Sequence, residues 1–187
     1  GAAAEEMRAL WGRTKGTTWW GDFEAVLRRY RERTGKNSLS MKDVRGFVGG
    51  YGGDLADVVA VAAEMFRTEP IERLWVGAGS REEVERLAGM KELQQGRVLG
   101  MPADAELLRA LGASAHARNI GRLTIYPESG KEVGAEVVEA LIAALGMELR
   151  GVRKLEMHGV QMGAAEVARI GNAGTGWQRL AIEEAGI

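Results

Sequence analysis

His116 and His158 are the two histidines in 187 residues, and cysteine is absent. That inventory excludes thiolate metal sites, Cys–His nucleophiles and disulfides. His116 lies in Ala113-Ser-Ala-His-Ala-Arg118, a small-residue loop or helix end where a lone imidazole is surface decoration. His158 follows an apolar phrase and reads as a contact residue. A catalytic triad would need a Gly-x-Ser-x-Gly-like elbow, which the chain lacks. Gly49-Gly-Tyr-Gly-Gly53 has no following Lys-Ser or Lys-Thr, so it is a weak phosphate signal. Tyr126-Pro-Glu-Ser-Gly-Lys131 lacks the leading glycine of a phosphate loop and carries Glu132 where a magnesium-holding hydroxyl belongs. Gly171-Asn-Ala-Gly-Thr-Gly176 reads as a helix stop and a turn. Glu82, Glu83 and Glu85 fall on a solvated helix face by their spacing. The expectation is no enzyme: no catalytic residue, no cofactor and no metal. The glycine loop 49–53 is the one place left for a hydrolase or transferase site.

The charge balance points the same way. Lys and Arg number 25 against 26 Asp and Glu, so the chain as a whole is not built for nucleic acid or anionic membrane. The halves differ: residues 1–50 carry 10 basic and 6 acidic side chains, residues 51–187 carry 15 and 20. No apolar run reaches the roughly 18 residues of a membrane span, and no signal-peptide stretch opens the chain. Together with the missing cysteines this fits a cytoplasmic protein without membrane attachment. The chain begins at Gly1 rather than Met, which suggests a processed chain or a fragment of a longer one.

The elements follow from periodicity. Residues 2–11 read as a short helix, and Trp19-Trp20 follows in a turn-rich stretch. Phe23, Val26, Leu27 and Tyr30 fall at helical spacing over residues 22–34, with Arg28, Arg29, Arg31 and Arg33 around them and Gly35 as a stop. Residues 40–48 suggest a strand, 49–53 a glycine loop, and Leu55, Val58, Val59, Ala62, Met65 and Phe66 a helical stripe that Pro70 ends. Further helices are expected over 82–88, 103–111, 133–145 and 164–170, the first opened by a Ser80–Glu83 capping box.

Between those helices one phrase recurs, apolar-x-x-Leu-x-apolar. It appears as Ile71-Glu-Arg-Leu74-Trp-Val76, Met90-Lys-Glu-Leu93-Gln-Gln95, Ile120-Gly-Arg-Leu123-Thr-Ile125, Val152-Arg-Lys-Leu155-Glu-Met157 and Trp177-Gln-Arg-Leu180-Ala-Ile182. A repeated phrase with leucine in a fixed slot marks a repeat protein. Leu74, Leu93, Leu123, Leu155 and Leu180 are 19, 30, 32 and 25 residues apart, mostly near the 20–29 residues of a leucine-rich repeat.

On these phrases the chain resembles the leucine-rich repeat proteins, of the larger type with a full helix in each repeat, as in ribonuclease-inhibitor-like arrays. Val44-Arg-Gly-Phe-Val48, then the alanine-rich helix ending at Phe66, then Glu69-Pro-Ile-Glu-Arg-Leu74 are similar to the opening segment of planctomycete-type bacterial leucine-rich repeat proteins. The resemblance covers roughly residues 44–187. It departs from the family in lacking the asparagine that follows each strand, and Gln95 makes the second repeat look degenerate.

The resemblance implies an α/β fold: a short right-handed solenoid with a curved parallel sheet and convex helices, preceded by a mainly helical cap or arm over 1–43. A leading strand–helix unit at 44–70 and about five repeats at 71–187, the last incomplete, make up the solenoid. Strand alternation then points Leu74, Val76, Leu123, Ile125, Leu155, Met157, Leu180 and Ile182 inward. The concave face would show three columns. They are Arg73, Glu92, Arg122, Lys154 and Arg179; Trp75, Gln94, Thr124, Glu156 and Ala181; and Gly77, Gly96, Tyr126, His158 and Glu183.

A protein–protein interaction module follows as the expected function, with a partner protein on Trp75, Arg122, Thr124, Tyr126, Lys154, Glu156, His158 and Arg179. Trp75 is either an exposed hot spot with Tyr126 or covered by residues 1–40. Glu156 and Glu183 would offset the basic column. The alternative is a nucleic-acid-binding protein that uses the basic helix 22–36, with the repeats as scaffold. Self-association through an uncapped C-terminal end is a further expectation.

Overall fold

A computed structural model describes residues 19–35, 39–44, 47–68, 71–127, 133–159, 162–174 and 176–183. The helix expected over 2–11, the Trp19 and Trp20 side chains, Pro70, and most of the Tyr126–Lys131 segment lie outside what is described.

Strands and helices alternate. Helix α1 (Trp19–Thr34) precedes β1 (Ser40–Val44), β2 (Phe47–Gly53) and α2 (Leu55–Thr68). Then come β3 (Arg73–Val76), α3 (Arg81–Ala88), β4 (Val98–Pro102), α4 (Ala105–Ala113), β5 (Arg122–Tyr126), α5 (Ala135–Gly146), β6 (Lys154–His158), α6 (Ala164–Ala173) and β7 (Arg179–Glu183). The seven strands form one sheet in chain order. β1 pairs antiparallel with β2, and β2 through β7 are parallel, each to the next. Parallel neighbours need a crossover, and each of α2 to α6 supplies one. Six parallel strands joined by helices in sequential order match the strand-plus-helix unit of a leucine-rich repeat. Among the described residues no helix is long and apolar enough to cross a membrane.

One expectation at the start of the sheet is corrected. The glycine loop 49–53 is strand: Gly50, Tyr51, Gly52 and Gly53 pair in register with Arg73, Leu74, Trp75 and Val76. Alternation explains it, since Tyr51 takes an inward slot beside Leu74 and Gly50 and Gly52 take the outward slots beside Arg73 and Trp75. Tyr51 is fully buried, edge-on to Phe66 at 6.0 Å. Burial, with the charge of Glu92, pushes its phenol far above the usual range. Ahead of it, β1 is hydrogen-bonded antiparallel to β2.

The second repeat is also corrected. Met90-Lys-Glu-Leu93-Gln-Gln95 is not a strand; Lys91–Gln95 is a 3₁₀ turn and the strand begins at Val98. The leucine in register between Leu74 and Leu123 is Leu99. The reason is Gly96, which fills the first slot of the phrase Gly96-x-x-Leu99-x-Met101 and removes its apolar signature. Leu93 instead matches Ala117 and Leu149, buried residues six positions ahead of Leu123 and Leu155. Each accepts a bond that closes a tight turn: Gly96 N to Leu93 O, Ile120 N to Ala117 O and Val152 N to Leu149 O are all 3.0 Å. With Leu99 in place, the anchors from Leu74 to Leu180 stand 25, 24, 32 and 25 residues apart.

The core lies between sheet and helices. Leu74, Val76, Leu99, Met101, Leu123, Ile125, Leu155 and Met157 are buried, with Val84, Leu87, Leu107, Leu108, Leu111, Val138, Leu141 and Leu145 from the helices over them. Leu180 and Ile182 on the last strand are only half-buried. Helix α1 buries Val26, Leu27 and Tyr30 against α2 and stops at Gly35, whose φ of 68° suits glycine. Ser80 and Glu83 form the expected capping box, and Asp104, which the sequence analysis did not single out, caps α4 by accepting from Leu107 N at 3.0 Å.

A main-chain ladder joins successive repeats. The carbonyl just ahead of each strand from β3 to β6 accepts two N–H groups from the next repeat. Glu72 O binds Arg97 N and Val98 N at 2.7 and 2.9 Å, and Arg97 O binds Gly121 N and Arg122 N at 2.9 and 3.1 Å. Gly121 O binds Arg153 N and Lys154 N at 2.8 and 3.1 Å, and Arg153 O binds Gln178 N and Arg179 N at 2.8 and 3.2 Å. Main-chain groups at the strand entrances are thereby satisfied without asparagine.

Candidate functional site: the helix-free face of the sheet

Residues that alternate with the buried strand positions lie on the face that carries no helix among the described residues. Register fixes their rows. The first runs Arg73, Val98, Arg122, Lys154, Arg179. The second runs Trp75, Gly100, Thr124, Glu156, Ala181, and the third runs Pro102, Tyr126, His158, Glu183. Glu92, Gln94 and Gly96 therefore leave the columns in which the sequence reading put them; Val98, Gly100 and Pro102 take those places. Gly77 follows the end of β3 and donates its N–H to Gly53 O at 2.8 Å.

Arg122, Lys154 and Arg179 stand opposite one another on three adjacent strands. Such neighbours are about 4.8 Å apart, and like charges there repel. One carboxylate relieves two of them. Glu156 is 5% exposed; Arg122 Nη2 donates to its Oε2 at 2.5 Å, and Arg179 Nε lies 3.3 Å from its Oε1. The Arg122 hydrogen bond holds the Glu156 carboxyl below the usual range against the opposing effect of burial, helped by the charges of Arg122, Arg179 and His158. Lys154 is exposed and has no ion pair among the described residues. The Glu183 side chain, the other acid expected to offset the row, lies outside what is described.

Trp75 is neither fully exposed nor buried. Its indole lies on glycines of both flanking strands. A Cβ built on Gly100 would fall 2.3 Å from Trp75 Cδ1, and one on Gly50 would fall 2.7 Å from its Cζ3. Gly50 and Gly100 thus make a floor for the ring, and Gly52 leaves room for the Trp75 Cβ and carbonyl. The sequence reading missed them, although glycines at alternate positions beside a tryptophan were a usable signal. Tyr126 is half-buried and reaches across β4, donating its hydroxyl to the Val76 carbonyl on β3; burial pushes its phenol up. Thr124 and His158 are half-exposed on the same face.

Residues singled out elsewhere fall outside this face. Gln94 Nε2 lies 2.9 Å from His116 Nδ1, and Asn119 donates to Gln94 O at 2.7 Å, tying two repeats together ahead of their strands. On α1, Arg28, Arg29, Arg31 and Arg33 are exposed, with Arg29 paired to Glu64 of α2.

The chain matches no family profile and no curated protein. Among solved structures it is similar to the tropomodulin C-terminal domain of Caenorhabditis elegans. The sequences are 15% identical, the alignment covers 81% of this chain and 90% of that one, and the TM-score is 0.47.

Proposed function

We propose that this chain is a non-enzymatic protein-interaction module. In this reading the sheet and helices form a short right-handed solenoid over 44–187 behind a helical arm, and the helix-free face is its concave side. The observation that carries the reading is the cluster of Arg122, Arg179 and Lys154 around the shielded carboxylate of Glu156. Charged groups held in place by a buried counter-ion have less freedom left to lose when a partner binds. Beside them, Trp75 is fixed on its glycine floor, and interface energy concentrates in Trp, Tyr and Arg.

The test is affinity capture from a lysate of the source organism, comparing the native chain with a Thr124→Tyr/Ala181→Tyr double variant. Both positions lie in the middle row on either side of Glu156, so added rings obstruct the face without entering the core. Loss of the native partner from a variant that still melts cooperatively supports the reading; undiminished capture overturns it.

A further inference from the structure

We infer that the face is matched to an acidic partner: an extended segment with Asp or Glu at alternate positions, lying across the Arg122–Lys154–Arg179 row. The inference rests on the interaction reading above and adds the chemistry of what binds. The row brings three cations together on adjacent strands, and the one shielded carboxylate beneath them is shared by Arg122 and Arg179. Among the described side chains, two positive charges remain in excess. Lys154, in the centre of the row, is exposed.

This positive row belongs to a stretch of chain that is acidic in sum. Residues 51–187 carry 15 basic and 20 acidic side chains. The acids gather on the helices, with Glu82, Glu83 and Glu85 on α3 and Glu136 and Glu139 on α5. Strands β3 to β7 instead hold four basic residues and two acids. Two consequences select the partner. A short acidic segment touches only the row, because charges farther than about 10 Å are screened at moderate salt. A nucleic acid binds through a longer run of phosphates than three cations can meet.

Length agrees with that choice. Two strand spacings make the row about 10 Å long, and alternate residues of an extended peptide are about 7 Å apart. Two carboxylates therefore fit along it, one on each side of Lys154.

The experiment measures binding to the intact chain by fluorescence anisotropy. The probes are a labelled 12-residue peptide with Glu at alternate positions, its Gln counterpart, a single-stranded oligothymidylate and a DNA duplex. The expected result is a Glu peptide bound at least about tenfold more tightly than the Gln peptide at about 50 mM salt, with the difference gone near 500 mM. Lys154→Glu is expected to weaken the Glu peptide by about tenfold or more, and Lys154→Gln by less. Arg109→Glu, on the helix side and paired with Glu136, serves as the control and leaves binding unchanged. Equal binding of the two peptides, indifference to Lys154→Glu, or tighter binding of either nucleic acid overturns the inference. The two proposals fail separately. If the captured partner is lost in Thr124→Tyr/Ala181→Tyr but is insensitive to Lys154→Glu and to competing Glu peptide, the face reading stands and the acidic partner falls. Capture that survives all of these overturns both.

Discussion

Arg122 reaches Glu156 along a diagonal of the sheet. The arginine stands opposite Lys154 in the register, yet its Nη2 donates to the carboxylate two residues farther along β6. Arg179 approaches the same carboxylate along the mirror diagonal from β7. Both arginines thus lean toward Glu156, and Lys154 stands between them without an acid of its own among the described residues.

Replacing Glu156 by glutamine removes that anchor and leaves three cations in one row. The expected loss is about 1–2 kcal/mol, the scale of charged hydrogen bonds whose arginine partners stay solvated. Chemical denaturation of the native chain and Glu156→Gln measures it. The pH dependence has a definite sign. The Glu156 carboxyl is lowered in the folded state, so its contribution is complete above the ordinary carboxylate range. That contribution fades as pH falls through the lower folded value. Glu156→Gln is expected to lose this part of the acid sensitivity, and equal acid slopes for both proteins would count against it.

Gly100→Ala tests the floor beneath Trp75. The new methyl falls 2.3 Å from Cδ1 of a rigid ring, and forced repacking costs about 1–3 kcal/mol. The same change in a Trp75→Ala background should cost far less, because nothing remains to collide with. A double-mutant cycle by urea unfolding reads the coupling directly; additive losses would mean that the indole does not rest there.

Tyr126→Phe removes the hydroxyl that bridges β5 to the Val76 carbonyl and is expected to lose about 0.5–1.5 kcal/mol. The phenol is raised in the folded state. Its contribution is therefore intact below about pH 10, the ordinary tyrosine value, and declines as pH rises through the folded value. Alkaline unfolding of the phenylalanine variant should be less steep than that of the native chain.

The corrected register of the second repeat predicts opposite outcomes at two positions. Met101 is fully buried and Gln95 is exposed. Met101→Ala should cost about 2–5 kcal/mol, whereas Gln95→Ala should stay within about 0.5 kcal/mol. Thermal melts of the two variants decide the register.

The periodic parts of the chain were legible because burial writes them. Leu74, Leu123, Leu155 and Leu180 each recur with an apolar residue two positions on, and the helices between them carry stripes that Val84, Leu107 and Leu141 anchor in the core. Illegible positions are those where glycine does the work. Gly96 hid the strand after it, and Gly50, Gly52 and Gly53 disguised β2 as a loop, since glycine has no side chain to register an inward or outward slot. Rows across strands suffered in proportion: Arg122, Lys154 and Arg179 were aligned correctly, whereas Gly100 and Val98 required the true register. The diagonal pairing of Arg122 with Glu156 was beyond reach, because sequence gives the neighbours of a side chain but not its lean.

The paired bonds accepted by the carbonyls of Glu72, Arg97, Gly121 and Arg153 involve peptide atoms alone. An acid, two guanidinium-bearing residues and a glycine occupy equivalent slots, and the joint between repeats is the same in each. Those slots are thus released from architectural selection. Mutation can rewrite the charge pattern along the strand entrances one repeat at a time while the scaffold stays the same.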